Sequence, residues 1–356
     1  MKITKVDVTA MSMPKLDKQW RIAFGVRAET HGALIRIQAD GVEEEGLGYA
    51  ASALHYGMSP GALKAVLDES AELLVGEDPH NLSGIRHKLD RWLVANNQAK
   101  SGIDVALHDL LGKALGVPVS QLLGGQVRSE IPVIRILGLK EPEEMAAAAL
   151  GHIKEGYGYL KIKAEGDHAL DVARVEAIRD SVGADVHLTV DANQSYSVPG
   201  AIRFMRALER SNVDLVEQPI HRDDILGLLE VKRAVQIPLE ADEAANSVGR
   251  VVELVRTRAV DSISIKLAKL GGLQNAMFVA RLCEAANISC RLGANVGSRI
   301  VNAAAAHIAA AAPNLTYAGE LGEYHRLEGD VVEGLDVVNG TLQVPTGPGL
   351  GVRLVA

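Results

Sequence analysis

The sequence predicts an α/β protein built on a TIM-type barrel, with a smaller α+β domain ahead of it. From about residue 130 to 320, eight short apolar runs alternate with amphipathic helical stretches: IPVIRIL, YLKIK, VHLTVD, VDLVEQP, IPLEAD, SISIK, ISCRL and LTYAGE. They recur at about 24 residues per strand-plus-helix unit, the spacing of β/α repeats in a parallel sheet. Eight such units suit a closed barrel better than an open doubly wound sheet, which usually has fewer strands and a glycine fingerprint. Neither GxGxxG nor GxxxxGK[ST] occurs in the chain.

The elements follow in order. Three strands are expected first, at Lys2 to Ser12, Ala33 to Ala39 and Gly46 to Ala50, with the Asp40-Gly41 pair supplying a tight turn. Helical patterns follow from Ser59 to Leu74, Asn81 to Val94 and Ser101 to Leu115. In the last, Ile103, Ala106, Leu107, Leu110, Leu111 and Leu115 fall at helical intervals, and Gly116-Val117-Pro118 ends it. Together these make a domain of residues 1–125, followed by a barrel over 126–322. Beyond the eighth run, the segment 323–356 carries Gly/Pro punctuation and the strand-like LDVVNGTLQVP, and is expected to return to the first domain.

Length and composition agree with this plan. A chain of 356 residues exceeds the usual single core. With 47% hydrophobic residues but only 3% aromatics and 35 glycines, its packing should be close and aliphatic. The formal charge of −8 argues against a nucleic-acid or membrane-surface role, which needs clustered cations. The N-terminal MKITKVDVTAMSMP alternates like a strand and has no apolar run long enough for a signal peptide, and no segment approaches a membrane span. Cys283 and Cys290 lack CxxC pairing and read as inert thiols of a reducing cytoplasm. The expected partner is a small-molecule carboxylate substrate, with no nucleic acid and no membrane, and the chain is expected to form a homo-oligomer.

The chemistry is carried by where charges fall. A parallel barrel strand is buried on both faces, so a charge at its end needs an explanation. Lys161 and Lys163 end the second strand, Asp191 the third, Glu217 the fourth, Asp242 the fifth and Lys266 the sixth. The acids are one repeat apart, so the three carboxylates should converge at the C-terminal mouth, where barrel enzymes keep their chemistry. Crowded carboxylates repel unless a cation sits among them. Oxygen-only ligands favour a hard ion, Mg²⁺ with waters or substrate oxygens completing an octahedron, or Mn²⁺ in its place. Lys161 and Lys163 stand on one wall and Lys266 on the other; an ammonium near a metal and other ammonium groups has its pKa lowered, and Lys163 and Lys266 are the expected bases. The metal would hold the substrate's carboxylate and stabilise the enediolate formed when the α-proton leaves. One strand-end charge is often a structural ion pair, but five on successive strands make a purely structural reading a poor coincidence. A Schiff-base lyase is the other barrel chemistry that uses a lysine, and it does not need three adjacent acids.

The ordered set of KIK (161–163), VDAN (190–193), VEQP (216–219), ADE (241–243) and IKLAKLGG (265–272) resembles the enolase superfamily, and within it the muconate lactonizing enzyme-like subgroup of the mandelate racemase/muconate lactonizing enzyme family. SGIDVALHDLLGKALGVPVSQLLGG and the closing PGLGV extend the resemblance over essentially the whole chain. It implies a (β/α)7β barrel under an N-terminal α+β capping domain completed by the C-terminal tail. It also implies Lys163 and Lys266 as catalytic bases on opposite sides of the α-carbon, Lys161 near the substrate carboxylate, Asn193 beside the ligand Asp191, and Glu243 behind the metal. This chain departs from the pattern in three places. Gly293-Ala294-Asn295-Val296 replaces a Met-Leu-Glu type sequence at the seventh strand end, Tyr49 stands where Gly-x-Gly-Glu is common, and Glu320 and Glu323 replace the Asp-x-Asp that many dipeptide epimerases use to hold an α-ammonium.

On the substrate side, the cap loops Leu16 to Thr30 and Ser52 to Met58 contain Trp20, Arg21, Arg27, His31 and His55. Arg21 is the arginine expected to pair with a distal anionic group, and Asn295 and Glu320 are the expected pocket residues. A lysine on each face supports racemisation or epimerisation of an amino-acid-derived acid. Muconate-type cycloisomerisation or acid dehydration uses the same pair differently. A metal- or ligand-binding barrel without catalysis is the reading of another class.

Overall fold

The computed structural model describes residues 1–294 and 296–355, and of His55 the backbone alone. Strands β1 (Ile3–Pro14), β2 (Glu29–Ala39) and β3 (Gly46–Ser52) form an antiparallel sheet in that order. The observed β1 and β2 are longer than their apolar patterns alone suggested, because they pair along their length, from Asp7 opposite Arg36 to Pro14 opposite Glu29. Alternation along β2 divides its side chains between two cores. Ile35 and Ile37 pack with helices α1 (Pro60–Leu74), α2 (Leu82–Trp92) and α3 (Asn97–Leu115), while Leu34 joins Leu47 and Tyr49 in the core shared with the barrel.

Helix α3 lies directly on β3, and glycine makes this approach feasible. A Cβ on Gly48 would stand 2.1 Å from the carbonyl oxygen of Gly102, and one on Gly46 2.3 Å from that of Ala106. The helix stops at Gly116, whose left-handed φ of 69° lets its N–H reach back to Gly112 and Lys113.

Seven parallel strands then follow in sequence order within one curled sheet: β4 (Arg135–Leu137), β5 (Tyr159–Lys163), β6 (His187–Asp191), β7 (Leu215–Glu217), β8 (Leu239–Ala241), β9 (Ser262–Ile265) and β10 (Ser289–Leu292). Helices α4 (Pro142–Lys154), α5 (His168–Val182), α6 (Val198–Leu208), α7 (Ile225–Ala234), α8 (Val248–Thr257), a short turn of helix at Leu267–Leu270, α9 (Leu273–Ala285) and α10 (Arg299–Ala311) fall in the intervals after the strands. Several begin at a side chain that accepts an N-terminal N–H, at Asp167, Ser197, Asp224, Ser247 and Ser298.

The eighth run, LTYAGE, is not a continuous strand. It bridges Cys290 through Leu315 and Val133 through Gly319, and the N–H of Glu320 donates to Leu292. Its backbone therefore bonds to both edges of the sheet. The (β/α)7β expectation holds in architecture, with the eighth segment irregular.

The closing segment divides its contacts. Asn339 and Gly340, both at positive φ, make the tight turn of a hairpin, Val337–Val338 against Thr341–Gln343, which pairs with Glu130–Pro132 at the start of the barrel. Further on, Gly349 exchanges hydrogen bonds with Val117 and Val119, and Leu350 donates to Asp109. The segment also meets the cap near its start, where the N–H of Leu16 donates to Arg326 and that of Glu328 to Pro14. Cys283 and Cys290 are free and buried, and no described helix is long and apolar enough to cross a membrane.

Candidate active site

The register of the parallel sheet sets the site. Lys163 pairs across to Asp191, and Asp191 to Glu217, so one lysine and two acids stand on the same rung of three neighbouring strands. Asp242 and Lys266 follow one residue past the ends of β8 and β9. All five are buried, and Lys163, Asp242 and Lys266 face a cavity of about 260 Å³ between barrel and cap. Its walls also include Lys161, Asn193, Glu243 and Glu320.

Each acid is engaged by a cation of the chain. Asp191 accepts from Lys163 at 2.5 Å and lies 2.9 Å from Lys161. Asp242 accepts from Lys266 and from Lys269, each at 2.5 Å. Glu217 faces Lys161 at 2.6 Å and accepts from Arg291. Among the described residues, no three His, Cys, Asp or Glu side chains stand in an arrangement that could hold a metal ion as they are. The residues nevertheless fit one. Glu217 Oε1 and Glu243 Oε2 are buried without any hydrogen-bond partner. Burial, reinforced by the charge of Asp191, pushes the Glu217 carboxyl up to about 8. Burial, then Asp242 and Asp191, push Glu243 to about 7. A buried all-oxygen donor set carrying that much unrelieved repulsion suits a hard divalent cation.

Lowered lysine pKa values were expected with a metal among the acids; where the acids face the ammonium groups directly, two of the lysines shift the other way. Burial works to lower Lys266, but Asp242 and other nearby groups outweigh it, and its pKa stands well above the ordinary range. Lys161 is also raised, since Asp191, Glu217 and Glu320 overcome its burial. The reason is geometric: the acids expected to face only a metal face the ammonium groups as well.

Asn193 sits where the motif places it. Its N–H donates to Asp191 at 2.9 Å, its carbonyl accepts from Lys163 at 3.0 Å, and its amide donates to Glu243 at 3.1 Å. Glu320 lines the cavity, yet both its oxygens are occupied: Oε1 by Lys161 at 2.8 Å and Arg291 at 2.5 Å, Oε2 by the N–H of Ala294 at 2.9 Å. Arg21 lies outside the cavity lining, since it is half-exposed and donates to Glu165 at 2.5 Å. The cations that line that end of the cavity are Lys15, Arg27 and Arg326. Asn295 lies outside the described residues, as does the side chain of His55. Tyr49 is buried beside two glycines, and a Cβ on Gly32 or Gly297 would come within 2.3 and 2.2 Å of its ring or hydroxyl.

Four residues escaped the sequence reading. Gln218 accepts the N–H groups of Asp242 and Ala244, both at 3.0 Å, and so ties the ends of β7 and β8 together. Its positive φ of 39° puts it among the sparsely populated conformations that a well-determined site retains. Lys269 also donates to the carbonyls of Asp242 at 2.6 Å and Ser264 at 2.9 Å. Arg291 is fully buried in β10 and joins Glu217, Glu240 and Glu320. Tyr56, from the cap, accepts from Lys266 at 3.3 Å. For Arg291 the available signal was an arginine inside an otherwise apolar strand, with a second unexplained charge, Glu240, inside another.

Known proteins match along nearly all of this framework. The model described as mandelate racemase/muconate lactonizing enzyme, N-terminal domain, matches residues 5–124, and the one described as enolase C-terminal domain-like matches residues 144–356. The hydrophobic dipeptide epimerase of Enterococcus faecalis is 37% identical over 89% of this chain and 90% of its own length. The chloromuconate cycloisomerase CbnB of Cupriavidus necator is 32% identical over 99% of this chain and 97% of its own. The crystal structure of the Enterococcus faecalis V583 dipeptide epimerase complexed with Mg and L-Leu-L-Tyr superposes with a TM-score of 0.94 at 33% identity, covering 99% of each chain.

Proposed function

Because the chain belongs to the mandelate racemase/muconate lactonizing enzyme family of the enolase superfamily, we propose that it racemises or epimerises an amino-acid-derived acid by moving the proton next to its carboxylate. The observation that carries this reading is the pair of lysines lining one cavity, Lys163 from β5 and Lys266 just past β9, with three strands of the sheet between them. A carbon held between two such amines can lose its proton to one and regain a proton from the other on the opposite face, which inverts it.

Asp191, Glu217 and Asp242 would hold the cation, Mg²⁺ or Mn²⁺ in its place. When bound, that ion supplies positive charge to the substrate carboxylate and takes up carboxylate charge that now keeps Lys266 protonated. Lys161, buried among Asp191, Glu217 and Glu320, offers a fixed positive charge beside the same carboxylate. Asn193 holds Lys163 by one end of its amide and Glu243 by the other, which fixes the lysine's direction. The cap excludes water above the reacting carbon with Tyr49, Tyr56 and the loop around Ala53.

The test is incubation with Mg²⁺ in D₂O and a panel of amino acids, N-acylated amino acids, dipeptides, hydroxy acids and cis,cis-muconate, with deuterium and products followed by mass spectrometry. Exchange at the α-carbon with inversion is expected for an N-acylated amino acid or a dipeptide. Lactone formation from a muconate, without inversion of any amino-acid derivative, would instead favour a cycloisomerase, the activity named for the 32%-identical relative. Metal binding with no exchange in any member would mean a binding protein, and a borohydride-trapped lysine adduct a Schiff-base enzyme.

A further inference from the structure

Two acids stand side by side inside the barrel. Glu217 of β7 and Glu240 of β8 are register partners, and both are fully buried. Glu240 has no part in the metal and lysine machinery proposed above. Neighbouring carboxylates kept from water repel each other, and the group that lies against both is Arg291 of β10, itself fully buried. Three nitrogens of its guanidinium are engaged: Nε donates to Glu240 at 3.0 Å, Nη1 to Glu320 at 2.5 Å, and Nη2 to Glu217 and Glu240 together. Glu240 also accepts from the hydroxyl of Ser262 at 2.9 Å, so the fork that grips Glu217 is itself anchored.

The hold on Glu217 is one-sided. Its Oε2 accepts from Arg291 and lies 2.6 Å from the ammonium of Lys161, whereas its Oε1 is buried without a hydrogen-bond partner among the described residues. A carboxylate free to turn can offer both oxygens to a cation. One gripped at Oε2 by two cations of the chain offers only the other. Barrel interiors are normally filled by layers of branched apolar side chains, and a buried ion network is weak evidence for stability, because apolar residues of similar volume often do as well or better. What Arg291 holds therefore accounts for it better than what it stabilises.

We infer that Arg291 is a positioning residue for the metal site: by gripping Glu217 at Oε2 it limits this ligand to a single oxygen, which favours Mg²⁺ or Mn²⁺ over Ca²⁺. Mg²⁺ demands a compact octahedron, whereas Ca²⁺ takes roughly six to eight oxygens and readily uses both of a carboxylate. The inference rests on Asp191, Glu217 and Asp242 as the metal donors of the proposed function, and it is independent of which acid is turned over.

Calorimetric titration of the substrate-free protein with Mg²⁺ and, separately, Ca²⁺ tests it. The native protein should bind Mg²⁺ about tenfold or more tighter than Ca²⁺. The double variant Arg291→Met with Glu240→Gln removes one charge of each sign, so the net charge around Glu217 is unchanged, and losing both members of a buried pair is tolerated far better than losing one. In it Mg²⁺ affinity should fall by roughly 10- to 100-fold and Ca²⁺ affinity by less than about threefold. Circular dichroism checks the fold. An equal loss for both ions would make Arg291 a support of the fold alone and overturn the inference. If the double variant does not fold, a crystal structure of the native protein loaded with Mn²⁺ decides: Glu217 bound through Oε1 with Oε2 still on Arg291 upholds the inference, and both oxygens on the metal overturn it. A native protein that binds Mg²⁺ and Ca²⁺ alike overturns the role of Arg291 and leaves the donors standing, whereas one that binds neither ion removes the donors and the inference together. The D₂O exchange panel reads the chemistry separately: no exchange by a protein with the expected selectivity fails the proton-transfer reading alone.

Discussion

The carboxylate of Asp109, in the middle of α3, accepts the backbone N–H of Leu350 at 2.7 Å, joining residues 241 positions apart. The same side chain accepts the N–H of Leu47 in β3 and the ammonium of Lys113, each at 2.7 Å. One buried acid thus pins the tail onto the cap, and a Cβ at Gly349 would strike it at 2.2 Å. Replacing Asp109 by alanine leaves two buried N–H groups without their acceptor and the Lys113 ammonium with only the carbonyl of Glu45, and should cost about 3 kcal/mol or more. Urea unfolding of Asp109→Ala reads this directly, and a loss under about 1 kcal/mol would mean that water substitutes for the carboxylate.

The two lysines give an asymmetric prediction. Lys163→Ala and Lys266→Ala should each lower racemisation by roughly 10²- to 10⁴-fold, and each variant should still exchange the α-proton of one enantiomer only, the opposite one in the two cases. Chiral analysis with deuterium counting resolves this. Racemisation at the wild-type rate in both variants would refute the two-base assignment.

Asp242 and Gln218 should separate direct from indirect effects on the metal. Asp242→Asn removes charge from the donor set, so Mg²⁺ affinity and exchange rate should fall together. Gln218→Leu leaves the carboxylates in place but strips the acceptor from the N–H groups of Asp242 and Ala244. Loss of such an orienting contact lowers metal affinity by roughly 10- to 100-fold. Calorimetric Mg²⁺ titration of both variants is the measurement, and unchanged affinity in Gln218→Leu would reduce Gln218 to a residue of stability alone.

What the sequence made legible follows from burial. Asp191, Glu217 and Asp242 were conspicuous because a two-faced parallel strand has no solvated side on which to hide a charge, and their one-repeat spacing placed them at one mouth. Register then put Lys163, Asp191 and Glu217 on a common rung. The pairing of those charges was not legible, because it depends on side-chain direction across several strands. Arg291 reaches both Glu217 and Glu320 from β10, and no local pattern connects these positions. The cap loop was the least readable part. Arg21 and Lys15 are both cations near its start, and only the fold turns the first toward Glu165 and leaves the second lining the cavity.

The junction of barrel, cap and tail carries a built-in sensitivity to acid at His307. This fully buried residue of α10 accepts the N–H of Ser120 at Nδ1, 3.2 Å away, and its Nε2 faces the carbonyl of Leu350 at 3.3 Å. That pairing requires the neutral ring with its proton on Nε2. Burial lowers its pKa to about 4, while an unfolded histidine titrates near 6.5. Between these values the unfolded chain binds the extra proton, so stability rises with pH across that window and is lost as pH falls through it. From pH 7.5 to 5 the loss from this group amounts to about 2 kcal/mol. His307→Gln has no such titration, so it should be less stable than the native protein at pH 7.5, with the gap narrowing by about that amount at pH 5. Urea denaturation at the two pH values measures it. A gap of equal size at both would show that His307 does not titrate on unfolding and that the acid sensitivity lies elsewhere.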